Sequence, residues 1–137
     1  MMATERKKLD GDILALWSLC IRTKQKTCRS SNSDYQLTAH HIIEKNYRWG
    51  RYALENGLCL SFSVHCLQKA WPEKFRDIVI GIVGQEEFKR LKEKYMYQKP
   101  CKRTITELRA IKEDLKAELK RLEADWGQPF DPDSIPF

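Results

Sequence analysis

The residues with the most chemistry to offer are three histidines, the pair His40-His41 in LTAHHIIEK and the single His65 in SFSVHCLQK. Asn56 of ENGLCL stands between them. An imidazole with a pKa of roughly 6.5 is mostly neutral at pH 7, so it can take a proton from water or give a lone pair to a metal ion. An asparagine amide both donates and accepts hydrogen bonds, which suits it to bracing. Hydrolysis of a phosphodiester needs a base to strip a water, a cation to offset charge on the phosphate and leaving oxygen, and rigid placement of both. Each feature alone has a plainer reading. A His pair can simply end a strand, Asn-Gly is a common turn, and His65 can be a hydrogen-bonded core residue.

Between these motifs Lys45, Arg48 and Arg51 interleave with Tyr47, Trp49 and Tyr52. Cationic side chains hold phosphates while rings stack on exposed bases, so the stretch reads as a nucleic-acid contact loop. The plainer reading is a solvated loop whose aromatics close the core. The reading adopted is mixed, with the cations toward DNA and Trp49 toward packing.

The elements that must position these residues follow from periodicity. Ile13, Leu16, Trp17, Cys20 and Ile21 share one helix face over Asp10 to Lys24. QKTCRSSNSD is a loop or knuckle, and Tyr35 to Ile43 is a short strand carrying the His pair. Residues 44 to 55 form an exposed loop broken by Gly50. Asn56-Gly57 signals a turn before a second strand, Leu58 to Phe62. Val64 to Ala70 is expected to be a helix capped by Ser63, and Pro72 opens another that Gly84 stops. Gln85 to Met96 is helix-favouring. Thr104 with Glu107, or Thr106 alone, caps the longest helix, whose Leu108, Ile111, Leu115, Leu119 and Leu122 form a stripe for the domain or for a second chain. The tail from Gly127 reads as extended.

With 137 residues and 16.2 kDa the chain suits one small core rather than a multidomain machine. Its formal charge is +6. Residues 1 to 103 hold 20 Lys plus Arg against 11 Asp plus Glu, whereas residues 104 to 137 hold 5 against 8. The basic surplus therefore lies with the histidines, as a polyanionic partner requires. No apolar run reaches the roughly 18 residues of a membrane span, and the first residues do not read as a signal peptide, so a cytoplasmic protein without membrane contact is expected. Five cysteines, Cys20, Cys28, Cys59, Cys66 and Cys101, are odd in number, which argues against a disulfide framework. Cys20 and Cys101 read as inert.

The order His40-His41, Asn56, His65, with its strand, turn and helix signals, resembles the HNH endonucleases and their ββα-metal fold over roughly residues 28 to 75. PEKFRDIVIGIVGQEEFKRLKEKY and the helix after Thr104 are similar to the ending of phage HNH proteins of the NinG recombination type. The resemblance implies an α+β fold with a ββα-metal core framed by an N-terminal helix and C-terminal helices. Residues 1–103 are then the nuclease domain, 104–126 a helix packed on it or dimerising, and 127–137 the tail. It also implies that His41 is the general base, that His40 and His65 are ligands of one divalent cation (Mg²⁺, Mn²⁺, Ni²⁺ or Zn²⁺), and that Asn56 hydrogen-bonds across the strand-loop-strand element and so holds His41 in orientation. The cation would bind a nonbridging oxygen of the scissile phosphate and the leaving 3′ oxygen, and a 5′ phosphate would result.

The chain departs from the family at two places. One turn after His65, where a third ligand often stands, it has Lys69, which leaves two protein nitrogens for the metal or turns that position into a phosphate contact. Where family members often bind a structural zinc through two CxxC knuckles, the chain has Cys28, Ser31, Ser61 and Val64. Hydroxyls and an isopropyl group do not replace thiolates, so no structural zinc is expected and packing must supply the order of 10 kcal/mol that zinc can contribute. An improvised site from Cys28, Cys59 and Cys66 is the minority reading. Neighbouring strand residues also face opposite ways, so His40 and His41 can share a site only if the strand end is irregular or the phosphate reaches between them.

The expected function is metal-dependent cleavage of DNA, with branched or recombination intermediates as candidate substrates. Two alternatives stand beside it: an HNH-fold DNA-binding module that has lost turnover, and an adaptor that docks a protein partner through the acidic C-terminal segment and leucine stripe.

Overall fold

Helix α1 spans Met2–Gln25, beginning well before the Asp10 start that the apolar stripe predicts. Glu5, Arg6, Lys7, Lys8 and Leu9 are good helix formers, and buried Leu9 extends the stripe of Ile13, Trp17, Cys20 and Ile21 by one turn. The helix ends with Arg22 and Lys24 in its last turn, where cations face the carbonyl end of the helix, and Lys26 follows in the left-handed region at φ 69°. The computed structural model describes residues 2–98 and 102–126. Cys101 and the tail expected at 127–137 lie outside the described residues.

Strand β1, Leu37–His41, pairs antiparallel with β2, Gly57–Ser61, in a register that sets His40 opposite Leu58 and His41 opposite Gly57. The hairpin is covered on both faces. Trp17 and Ile21 of α1 lie against Gly57 on one side, while Phe75 packs on His40 on the other. That is why every residue of β2 is buried instead of alternating. The long connection between the strands contains short 3-10 turns at Arg48–Gly50 and Leu54–Asn56.

After β2 the chain makes α2, Phe62–His65, and α3, Leu67–Ala70, then α4, Pro72–Val83, and α5, Gln85–Tyr95. The helix expected from Val64 therefore starts two residues earlier and is interrupted at Cys66. Ser63 does not cap it; its hydroxyl meets that of Ser61 at 3.1 Å. Pro72 occupies the first turn of α4, and Gly84, at φ 90°, separates α4 from α5. Helix α6, Ile105–Trp126, opens with a reciprocal cap: the Glu107 N–H donates to Thr104 Oγ1 and the Thr104 N–H to Glu107 Oε1, each at 3.1 Å.

The leucine stripe of α6 is taken up within the chain. Leu108, Leu115 and Leu122 are buried in one cluster with Leu9, Ile13, Trp17 and Ile21 of α1. The two helices run side by side in the same direction, since Arg6 bonds the Arg103 carbonyl toward one end and the Cys20 thiol meets the Leu115 carbonyl, 3.6 Å away, toward the other. A smaller cluster of Ile43, Leu91 and Tyr95, with Tyr47, Trp49 and Phe88, holds the inter-strand connection on α5. The fold is thus α+β, a hairpin between N- and C-terminal helices. Among the described residues no helix is long and apolar enough to cross a membrane.

Candidate metal and base site

His40 points from β1 toward α2. Its Nε2 meets Nδ1 of His65, the ring centroids lying 4.2 Å apart at 45°. The far side of the His40 ring packs on Phe75 at 5.1 Å. Burial, with His65 and His41 adding to it, pushes the His40 pKa down to about 3. Burial and then the charge of Lys69 lower His65 as well. Both rings are neutral at pH 7, and a neutral imidazole offers one lone pair. Two nitrogens from a strand and a helix converging on one point fit the donor chemistry of a borderline divalent cation. Among the described residues no group of three His, Cys, Asp or Glu gathers around a common point. Further coordination positions would thus fall to water and substrate oxygens.

His41 lies on the other face of the hairpin. The ladder stays regular to His41, which pairs with Gly57, so the strand alternation expected from the sequence holds and its irregular-end alternative does not. The ring stacks on Trp17, centroids 4.0 Å apart and planes 8° from parallel. Its Nε2 is 2.8 Å from the Arg51 carbonyl oxygen. A carbonyl only accepts, so Nε2 carries the proton and Nδ1 keeps the lone pair, which fixes the tautomer of a would-be base. Burial lowers the His41 pKa, the Arg51 carbonyl works the other way, and the charges of Arg51 and Lys45 lower it further.

Arg51 does not reach outward as a free cation. Its Nε and Nη2 donate to Asp10 Oδ1 and Oδ2, each at 2.7 Å, and the Tyr52 hydroxyl donates to Asp10 Oδ1 at 2.5 Å. The Arg51 hydrogen bond, against the opposing effect of burial, holds the Asp10 carboxyl below its ordinary value. Asp10 on α1 therefore fixes Arg51, whose carbonyl fixes His41. Sequence reading gave Asp10 no role and Trp17 only a packing role on the apolar stripe.

Asn56 is fully buried, and its amide bonds across the connection between the strands. Oδ1 accepts the Ile43 N–H at 2.7 Å, and Nδ2 donates to the Ile43 and Gly50 carbonyls at 2.9 and 3.0 Å. These bonds run across the strand-loop-strand element, and the connection they tie down carries Arg51, whose carbonyl meets His41. Lys45 and Arg48 are exposed on that connection, Trp49 is half-buried as expected, and Lys69 is exposed on α3. A cavity of about 330 Å³ is lined by His41, Gln68, Phe75 and Arg76 among others, so it runs from the base toward the helix that follows His65.

The knuckle positions surround one thiol. Burial works to raise the Cys28 pKa, but the Ser31 hydroxyl and the main-chain N–H groups of Ser31, Ser61 and Ser30 outweigh it and bring it to about 7. The Ser31 N–H lies 3.3 Å from the sulfur. Burial, with Cys28 adding to it, pushes Cys59 up to about 12. Val64 packs in the core, and Cys66 is exposed whereas Cys28 and Cys59 are fully buried, so the three-cysteine alternative does not assemble.

Set against known proteins, the chain matches no family model, no curated protein and no solved structure.

Proposed function

We propose that the chain is a divalent-cation-dependent endonuclease that hydrolyses DNA phosphodiester bonds, with the hairpin and α2 forming a ββα-metal core of the HNH type. The observation that carries this reading is the meeting of His40 Nε2 and His65 Nδ1 beside a third histidine whose tautomer is fixed. A cation held by the two nitrogens supplies the positive charge that a phosphodiester needs as its leaving oxygen develops negative charge. His41 Nδ1 accepts the proton of the attacking water. The Arg51 carbonyl keeps the ring aimed, Trp17 keeps it flat, and the nearby charges of Arg51 and Lys45 favour return to the neutral base.

The base and the cation pair lie on opposite faces of β1, so the scissile phosphate must cross the strand edge. Among the described residues β2 is the sole ladder partner of β1. The cavity that contains His41, Phe75 and Gln68 supports this route, because Phe75 touches His40 and Gln68 is one turn past His65. Lys45, Arg48 and Lys69 would face the flanking phosphates.

The test is nicking of plasmid, flapped and four-way-junction DNA in Mg²⁺, Mn²⁺, Ni²⁺ and Zn²⁺. The parent is expected to yield product in at least one metal, and His41→Ala to yield none while still binding DNA. Equal cleavage by parent and His41→Ala overturns the mechanism. The second reading, a DNA-binding module without turnover, is favoured by the two-nitrogen ligand set and by Lys69. It requires binding without product in every metal. The adaptor reading loses its apolar docking stripe to α1.

A further inference from the structure

A second concave surface lies on the α1 side of the hairpin, opposite the His40–His65 pair. It is a cleft of about 480 Å³ whose walls include Arg6 and Lys7 of α1, Lys45, Arg48 and Arg51 of the inter-strand connection, and Arg103 ahead of α6. Among the described residues Asp10 is the one carboxylate in this wall, and Arg51 and Tyr52 already occupy it. Among the described residues no carboxylate pairs with the side chains of Arg6, Lys7, Lys45, Arg48 or Arg103.

Several of these groups are held in place without being neutralised. Arg6 donates to the Arg103 carbonyl, and Arg103 donates to the Arg48 carbonyl at 2.7 Å. The Arg103 guanidinium also lies over the rings of Trp49 and Tyr52, 5.2 and 5.0 Å from their centroids. Carbonyls and ring faces orient a cation and leave its charge in place. Six cations facing one carboxylate in one concavity repel one another, and a run of phosphates relieves that repulsion.

We propose that this cleft is a nucleic-acid backbone site, in which Arg6, Lys7, Lys45, Arg48 and Arg103 hold phosphates flanking the one delivered to His41. The inference rests on the hydrolase reading for that last step alone. Its location supports the coupling, because Arg51 lines the cleft with its side chain and holds His41 with its carbonyl. None of Arg6, Lys7 and Arg103 belongs to the hairpin or α2, so the flanking helices serve binding as well as packing.

The test is fluorescence anisotropy of a short labelled DNA duplex, titrated at several salt concentrations in the absence of divalent metal. The triple variant Lys7→Ala, Lys45→Ala, Arg48→Ala removes exposed side chains that make no hydrogen bond among the described residues. It should flatten the log-log salt slope by about 2.7, at about 0.9 per phosphate contact. A control triple variant on α4 and α5, Lys74→Ala, Lys89→Ala, Lys92→Ala, makes the same change in net charge and should leave the slope close to the parent's. Equal slopes for parent and cleft variant overturn the proposal, as does equal flattening by the two triple variants. Inorganic phosphate that displaces the duplex at concentrations near the duplex's own Kd also overturns it, by showing a small-anion site. Slope loss confined to the cleft variant, in a chain that cleaves nothing in any metal, supports the cleft and rejects the hydrolase reading.

Discussion

Gly57 offers a quantitative test of how the hairpin meets α1. Its backbone is ordinary extended chain at φ −110°, ψ 140°, so the sequence-based reading of Asn-Gly as a glycine-requiring turn does not account for it. Space does. A Cβ at this position would lie 2.5 Å from Ile21 Cγ1, nearer still to Ile21 Cδ1, and 3.0 Å from Trp17 Cζ2. Ile21 is 1% exposed and Trp17 2%, so neither can swing into solvent. Overpacking of this kind costs about 1–3 kcal/mol, a large share of the roughly 5–15 kcal/mol that stabilises a typical domain. Gly57→Ala should therefore lower the urea midpoint by about 1 M, given a slope of about 1–3 kcal/mol/M. Ile21→Ala alone should cost about 2–5 kcal/mol by opening a cavity. In the double variant the new methyl enters the space that Ile21 vacates, so the two losses should fall short of their sum by at least about 1 kcal/mol. Additive losses, with unchanged slopes, would refute the claim that close approach to α1 is why this residue is glycine.

Asp10→Asn removes the two-point pair with Arg51 and should cost about 1 kcal/mol at pH 7. Because the folded-state pKa of Asp10 is lowered from 3.8, the contribution is fully present above that value and is lost as pH falls through the lower folded one. Urea unfolding at pH 7 and pH 3 should show the gap between parent and variant closing in acid, and a gap that widens would contradict the assignment. Asn56→Asp places a carboxylate oxygen against the Ile43 and Gly50 carbonyls that Nδ2 now serves at 2.9 and 3.0 Å. It should destabilise by about 3 kcal/mol or more and exceed the loss from Asn56→Ala, because a buried repulsive charge is worse than missing bonds. Equal losses for the two variants in the same unfolding assay would mean that the amide donors carry no weight.

The legible parts of this fold are those whose cause is local. Pro72, Gly84 and the Thr104–Glu107 cap mark helix ends by their own backbone chemistry, and the leucine stripe marks a buried face by spacing alone. The partner of that stripe was not legible, since α6 packs on a helix from the other end of the chain. The start of α1 was missed because TERKK has no apolar period, and its helix is completed by Leu9 reaching the shared core. At the candidate site the histidines, Asn56 and the basic connection stand out by residue type. Asp10, Trp17, Arg6 and Arg103 do not, because each acquires its role only when α1 and the approach to α6 close over the hairpin. The pairing of Arg51 with Asp10 was not legible for the same reason, as the two lie 41 positions apart.

The most direct measurement of the central claim is anomalous diffraction at the manganese edge from crystals of the full chain soaked in Mn²⁺. A single peak within coordination distance of both His40 Nε2 and His65 Nδ1 is expected, absent from His65→Ala crystals treated identically. A peak elsewhere with the His40–His65 contact intact, or no peak at saturating Mn²⁺, would contradict the metal site and with it the proposed hydrolysis.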